Sequence, residues 1–169
     1  GLSHSDYAYI AIETGRSLYG AEAINCMAPD TGNMEILALF GDDDQQQKWL
    51  LPLLLGETRS CFGMSEPSVA SSDPTQLQST AVKTQEGDWI INGRKWWTTG
   101  AVGPRCKVML VMGKSNPEND RHCQHSTILV PRDTPGVKLV RMLRAFDSLH
   151  SPGGEAELLF EDVRAPVSN

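Results

Sequence analysis

Residues 60–73 read Ser-Cys-Phe-Gly-Met-Ser-Glu-Pro-Ser-Val-Ala-Ser-Ser-Asp, and their types suit close contact with a ligand. An apolar strand start, Cys61 to Met64, runs into a sharp turn at Glu66-Pro67 and then into small residues. Ser68, Ser71 and Ser72 leave little bulk, and each hydroxyl both donates and accepts hydrogen bonds. The competing reading is a solvated turn. A second stretch, Trp96-Trp97-Thr98-Thr99-Gly100, shifts the balance. Alternate residues of a half-buried strand share a face, so Trp97 and Thr99 are expected to project together, with Trp96 and Thr98 opposite. An indole beside a hydroxyl suits a planar heterocycle: one supports the ring, the other reaches a ring nitrogen. Packing of both tryptophans in the core is the alternative.

These residues need elements to hold them. Residues 1–57 read as helical. Ser3 or Ser5 caps a helix with Tyr7, Ile10, Ala11, Thr14 and Leu18 on one face. Pro29 to Gly32 is expected to break it, and a second helix carries Met34, Ile36, Leu37 and Phe40. Asp42, Asp43 and Asp44 favour a helix start; the glycine and distal Glu of a calcium loop are missing. A third helix holds Trp49, Leu50, Leu53 and Leu54, with Pro52 as a kink or first turn and Gly56 as its stop.

From residue 58 the pattern is strand-like. Gln78 to Thr84 alternates, and Trp89 to Ile91 meets Asn92-Gly93, a hairpin signal, before Arg94 to Thr98. Lys107 to Gly113 is apolar on both faces and reads as a buried strand. Ser126 to Val130, Val137 to Val140 and Glu155 to Phe160 follow, with a turn at 133–136 and a loose loop at 150–154. Helices followed by closely spaced strands imply an α+β chain, a helical piece packed on an antiparallel β barrel or sandwich.

The bulk numbers narrow the function. A chain of 169 residues, 40% apolar and 21% charged, holds a real core in one domain or two small ones. A net charge of −6 argues against nucleic-acid binding. No apolar run approaches the ~20 residues of a membrane span, and no secretory leader is visible. Cys26, Cys61, Cys106 and Cys123 are widely spaced, as in reduced thiols of an intracellular protein. His122-Cys123-Gln124-His125 lacks the further ligands of a zinc site.

The sequence resembles the acyl-CoA dehydrogenase family, flavoenzymes that oxidise acyl-CoA thioesters. Residues 61–67, Cys-Phe-Gly-Met-Ser-Glu-Pro, match the family's aromatic-x-Met-Thr-Glu-Pro. Residues 90–100, Ile-Ile-Asn-Gly-Arg-Lys-Trp-Trp-Thr-Thr-Gly, match Ile-Asn-Gly-x-Lys-x-Trp-Ile-Thr-Asn-Gly. Val-Pro-x-x-Thr-Pro-Gly-Val at 130–137 and Phe-x-x-Val-Arg-x-Pro at 160–166 follow in order, and 47–57 is similar to the end of the family's N-terminal helical domain. The Val-Ala-Ser-Ser-Asp form and the Trp pair resemble the subgroup of family members ten and eleven.

The resemblance implies that residues 1–57 end a helical domain, that 58–169 form the β-barrel middle domain, and that the C-terminal helical domain is absent. It implies FAD as cofactor, wrapped by Phe62, Gly63, Met64, Ser65 and Glu66, with Ser65 in place of the usual Thr. Trp97 would lie against the flavin, Thr98 would flank it and Thr99 would bond near its reactive nitrogen; Ser71 or Ser72 would meet the pantetheine of the substrate as well as the cofactor. The loop from Glu66 to Asp73 is one residue longer than the common form, with Ser68 and Ala70 where glycines usually stand. A carboxylate base removes the α-proton and the β-hydride passes to the flavin; nothing here matches that base, so the chain is expected to be inactive alone. Acyl-CoA, electron-transfer flavoprotein as acceptor and a homo-oligomer are the implied partners of the full-length enzyme. Mitochondrion, peroxisome and bacterial cytoplasm all fit. A non-catalytic β module that binds a ligand through the Ser-rich loop, or an oxidase or monooxygenase relative, are the alternatives.

Overall fold

Helices occupy the chain up to Leu54 and strands begin at Arg59 in the computed structural model, which describes residues 2–145 and 153–169. Most of the loop expected at 150–154 lies outside the described residues. α1 (His4–Thr14) starts on Ser3, whose side chain accepts the Asp6 N–H. Its residues have the expected spacing, yet none is buried, and Leu18 lies beyond its end. α2 (Gly20–Ala23) is a single turn. The first helix therefore ends well before Pro29 to Gly32, at Gly15, and α2 is followed by Asn25 at φ +54°. Pro29 is instead the N-cap of α3 (Asp30–Phe40), where Asp30 suits the positive end of the helix and Gly32 sits within it.

The acidic run does start a helix. Asp42 and Gln45 form a capping box at α4 (Asp43–Gln45). A π turn (Gln46–Leu50) then leads into α5 (Leu51–Leu54). Pro52 has no N–H, and its ring crowds the carbonyl one turn back. The wider turn, in which the Leu51 N–H reaches the Gln46 carbonyl, accommodates it without a break. Gly56, at φ +70°, ends the run.

Seven strands follow among the described residues: β1 (Arg59–Gly63), β2 (Thr80–Lys83), β3 (Trp89–Thr99), β4 (Cys106–Lys114), β5 (His125–Pro131), β6 (Val137–Leu143) and β7 (Glu155–Ala165). They form one sheet in the order β1-β4-β2-β3-β7-β6, with β5 on β4. Most pairings are antiparallel, as expected. β1 and β4 are parallel, and β2 meets β4 in parallel at Thr80 and Lys114. Parallel neighbours need a long crossover, and the β2–β3 hairpin fills it between β1 and β4.

Asn92-Gly93 is not a hairpin turn. β3 runs straight through it, and the turn between β2 and β3 lies at Thr84 to Asp88, where the Thr84 N–H bonds the Asp88 carbonyl at 2.8 Å. Asn92-Gly93 instead marks a bulge against β7. Gly93 has φ +150°, and a Cβ there would lie 2.1 Å from Ser79 Oγ and 2.8 Å from Ser79 Cα. The Asn92 side chain grips Asp162, donating to its Oδ1 at 3.1 Å and accepting its N–H at 2.8 Å. A close approach and a side-chain bracket have taken the residues that elsewhere make a turn.

β4 explains the packing. Met109 and Val111 enter a cluster with Cys61, Ile91, Leu158 and Phe160 on one side of the sheet. Val108 and Leu110 enter a second cluster with Leu37, Leu50, Leu53 and Leu129, beneath the helices. Each fully buried Leu stabilises the fold by about 1.5–3 kcal/mol. A polar network fixes the docking angle of α3: Asp30 Oδ1 accepts the Ser60 N–H at 2.7 Å and its hydroxyl at 2.6 Å, and the Asn33 amide donates to Ser60 Oγ at 2.8 Å. No helix of the described residues is long and apolar enough to cross a membrane.

Gly93→Ala is therefore expected to lower stability by about 3 kcal/mol, since the new methyl collides with Ser79 and the backbone torsion disfavours any Cβ. Urea unfolding measures this. Adding Ser79→Gly, which removes the nearest atoms, should recover part of the loss.

Candidate functional site

The bend and the tryptophan strand meet through a buried ion pair. Lys95 on β3 is fully buried, and its Nζ lies 2.8 Å from Glu66 Oε1 and 3.0 Å from the Met64 carbonyl. Glu66 Oε1 also accepts the Ser79 N–H at 2.9 Å, and Oε2 accepts the Gln78 N–H at 2.8 Å. Burial alone would push the Glu66 carboxyl up, but the Lys95 ammonium and these N–H groups hold it below its usual range. Burial pulls the Lys95 ammonium down, and Glu66 offsets only part of that.

Glu66, expected among the cofactor residues, has a structural side chain: it is 2% exposed and both its oxygens are engaged inside the protein. Gly63 is interior too, packed on the Lys95 stem. Phe62 packs against the helix-side cluster. Ser71 closes the turn on itself, its Oγ accepting the Glu66 N–H at 3.0 Å and donating to the Glu66 carbonyl at 3.3 Å. Between Ser71 and Ser72, only Ser72 is exposed. Met64 and Ser65 stay partly open, and the Ser65 carbonyl accepts the Trp96 N–H at 2.9 Å. That bond sets the bend directly beside the tryptophans.

The tryptophans depart from simple alternation. Lys95 pairs with Leu158 and Thr98 with Ala156, so Trp96 and Trp97 together stand opposite Glu157 alone. This is a β-bulge, and Trp97 takes φ +50°. Lys95 and Thr98 both turn inward, three residues apart. Trp96 and Trp97 therefore do not face opposite ways; their ring centroids are 6.0 Å apart at 53°. Trp97 remains 44% exposed. The Thr98 side chain is fully buried with Oγ1 unpartnered, so its hydroxyl does not belong to the open face.

Thr99 is half-buried, and its hydroxyl donates to the Glu155 carboxylate at 2.9 and 3.0 Å. Burial pushes the Glu155 carboxyl up, and the Thr99 bond offsets part of that. Two residues along β7, Glu157 is 1% exposed and held by Arg94 Nε at 2.7 Å and Arg141 Nε at 2.5 Å. Arg141, opposed by burial and helped by Arg94, keeps the Glu157 carboxyl below its usual range. Sequence reasoning passed over Glu155 and Glu157. Their signal was there: two acids at period two, alternating with Ala156 and Leu158, on one face of a strand whose other face is apolar. Among the described residues no group of three His, Cys, Asp or Glu is set to hold a metal, and all four cysteines are free thiols.

The open face thus combines a half-exposed indole, the Ser65 bend and the Thr99 hydroxyl, a set that fits a flat, polar-edged ring. Its geometry depends on Glu66 remaining ionised. The folded-state value of Glu66 is depressed, so its contribution is complete above the ordinary carboxylate value of about 4.3 and is lost as pH falls through the lower folded value. Glu66→Gln should cost about 3–5 kcal/mol at neutral pH by leaving Lys95 uncompensated, and should flatten the acid side of the stability profile. Thermal melts between pH 7 and pH 3 test both.

The family model for the acyl-CoA dehydrogenase middle domain matches residues 61–163. Acyl-CoA dehydrogenase family member 11 of Homo sapiens is 50% identical over 173 residues, covering 100% of this chain and 22% of that protein. A solved structure from Mycobacterium abscessus, named for the same family, superposes with a TM-score of 0.95 at 48% identity, over 99% of this chain and 41% of its own. A glutaryl-CoA dehydrogenase from Mycobacterium smegmatis, solved with FADH2, gives a TM-score of 0.65 at 29% identity, over 80% of this chain and 32% of its own. The chain spans less than half the length of each. By its matched core, its motifs and its fold, the chain belongs to the acyl-CoA dehydrogenase family, as a piece containing the middle domain.

Proposed function

We propose that this chain supplies the flavin-facing wall of an FAD-dependent enzyme that introduces an α,β double bond into an acyl-CoA thioester. One observation carries the reading: the bond between the Ser65 carbonyl and the Trp96 N–H, which sets the small-residue bend beside a half-exposed indole. Ser65, Trp97 and Thr99 would hold the ring, and Ser72 would meet the thioester arm. When bound, the flavin supplies the two-electron acceptor for the substrate. The chain's own part is placement and exclusion of water. The Trp97 indole offers an apolar plane, and the Lys95–Glu66 pair keeps the bend against it. With its proton committed to Glu155, the Thr99 hydroxyl offers lone pairs to a ligand.

The α-proton needs a carboxylate base. Glu66 and Glu157 are neutralised by buried or bridging cations, and Glu155 is tied to Thr99. None of the three is poised for that task. By resemblance to the family, and because the chain spans only 22% of its human relative, we assign the base to a part of such a longer protein outside these 169 residues, along with the contacts that set acyl length, the electron-transfer partner and the assembly of subunits.

Titration with FAD, followed by visible absorbance and flavin fluorescence, tests the first half. The chain should quench the flavin, and Trp97→Ala should weaken binding about tenfold, matching loss of an aromatic contact of about 1.4 kcal/mol. An assay with acyl-CoA and an artificial electron acceptor tests the second. No turnover is expected from this chain, and turnover would overturn the placement of the base. Absence of any flavin binding would favour a non-catalytic module instead.

A further inference from the structure

Opposite the tryptophan bulge lies a charged group with no part in the reading above. Glu157 is buried, and two guanidiniums converge on it, Arg94 from β3 at 2.7 Å and Arg141 from the edge strand β6 at 2.5 Å. One arginine would neutralise the carboxylate; the second leaves the trio with a net positive charge, in a chain whose total is −6. Both contacts are made through the Nε atom, and each guanidinium carries four further N–H donors. The Arg94 and Arg141 side chains are 50% and 60% exposed. Glu157 pairs in register with Arg141 and stands across from Trp96 and Trp97, so the guanidiniums and the half-exposed indole share one face. A buried carboxylate that aims two arginine forks outward fixes them before any ligand arrives, and planar forks match phosphate oxygens.

We propose that Arg94 and Arg141, aimed by Glu157, form an anion subsite beside the Trp96–Trp97 bulge that takes the phosphate or diphosphate of a nucleotide-like ligand. The flat indole receives a ring and the guanidiniums receive the charge. The choice of a nucleotide-like ligand rests on the flavin reading; the anion subsite itself does not. The competing role is a strap that ties β3, β7 and β6 together, which would lower stability when cut but leave ligand affinity unchanged.

The test compares the wild-type protein with Arg94→Gln, Arg141→Gln and the double variant, with Arg141→Lys as a milder change. Lys138→Gln, which alters a β6 lysine paired with Glu161, serves as the charge control. FAD, coenzyme A, riboflavin and inorganic pyrophosphate are titrated separately, read by tryptophan fluorescence, with melting temperature recorded for each variant. The double variant should lose at least about tenfold in affinity for FAD or for coenzyme A, and pyrophosphate should compete with that ligand only in the wild type. Loss for FAD with riboflavin unchanged assigns the subsite to the flavin diphosphate, and loss for coenzyme A assigns it to the substrate's. Arg141→Lys should fall between, because it keeps charge but loses the fork. Unchanged affinity for both, in folded variants, overturns the subsite and leaves the flavin reading standing. If neither FAD nor riboflavin binds the wild type while pyrophosphate binding is lost in the double variant, the flavin reading fails and the subsite stands.

Discussion

The contact between Lys95 and Glu66 is the constraint from which the open face follows. An ammonium and a carboxylate taken out of water carry a desolvation penalty of several kcal/mol each unless their geometry is good and their remaining valences are filled. Here they are filled by the Met64 carbonyl and by the N–H groups of Gln78 and Ser79. Four chain segments are thereby joined at one point: the end of β1, the bend, the approach to β2, and the middle of β3. Once that point is set, the Ser65 carbonyl has little choice but to meet the next N–H along β3, that of Trp96. The ion pair touches no ligand face itself. It determines where the ligand face is.

The bulge that follows is the complementary device. Lys95 points inward to reach Glu66, and a regular strand would then send Trp97 inward as well. The extra residue resets the alternation, so that Thr98 takes the next inward place and both indoles stay out. The left-handed torsion at Trp97 is uncommon for a bulky residue, and such torsions cluster where ligands are handled. A buried cation and an exposed aromatic two residues later are compatible only because the backbone gives up one regular ladder position between them.

Much of this was readable from residue order. The switch from helices to strands, the two-faced burial of β4 and the capping role of the aspartate run follow from periodicity and residue type, and the closeness of bend and tryptophan strand was implied by the family resemblance. Other features were not, for physical reasons. Asn92-Gly93 has the composition of a tight turn, and only the presence of Ser79 across the gap shows that the glycine serves a close approach. The strict two-residue alternation assigned to Trp96 through Thr99 fails because bulges leave no local mark in composition. Glu66 sits within a cofactor motif, yet its partner is 29 residues away, and pairing at that distance is invisible without coordinates. Pro52 does fall in a first turn, that of α5, as its residue type suggests, but the π turn that precedes it is not marked in the sequence.

β4 has a further consequence. Its successive side chains alternate between the sheet interior and the layer under α3 and α5, so neither hydrophobic mass is complete without the same nine-residue strand. The line that separates helical from strand-forming sequence near residue 57 is therefore a change of grammar rather than a seam in the energetics. The two layers lean on a common wall, and loosening that wall releases both at once, so heat or denaturant should dissolve them in a single step.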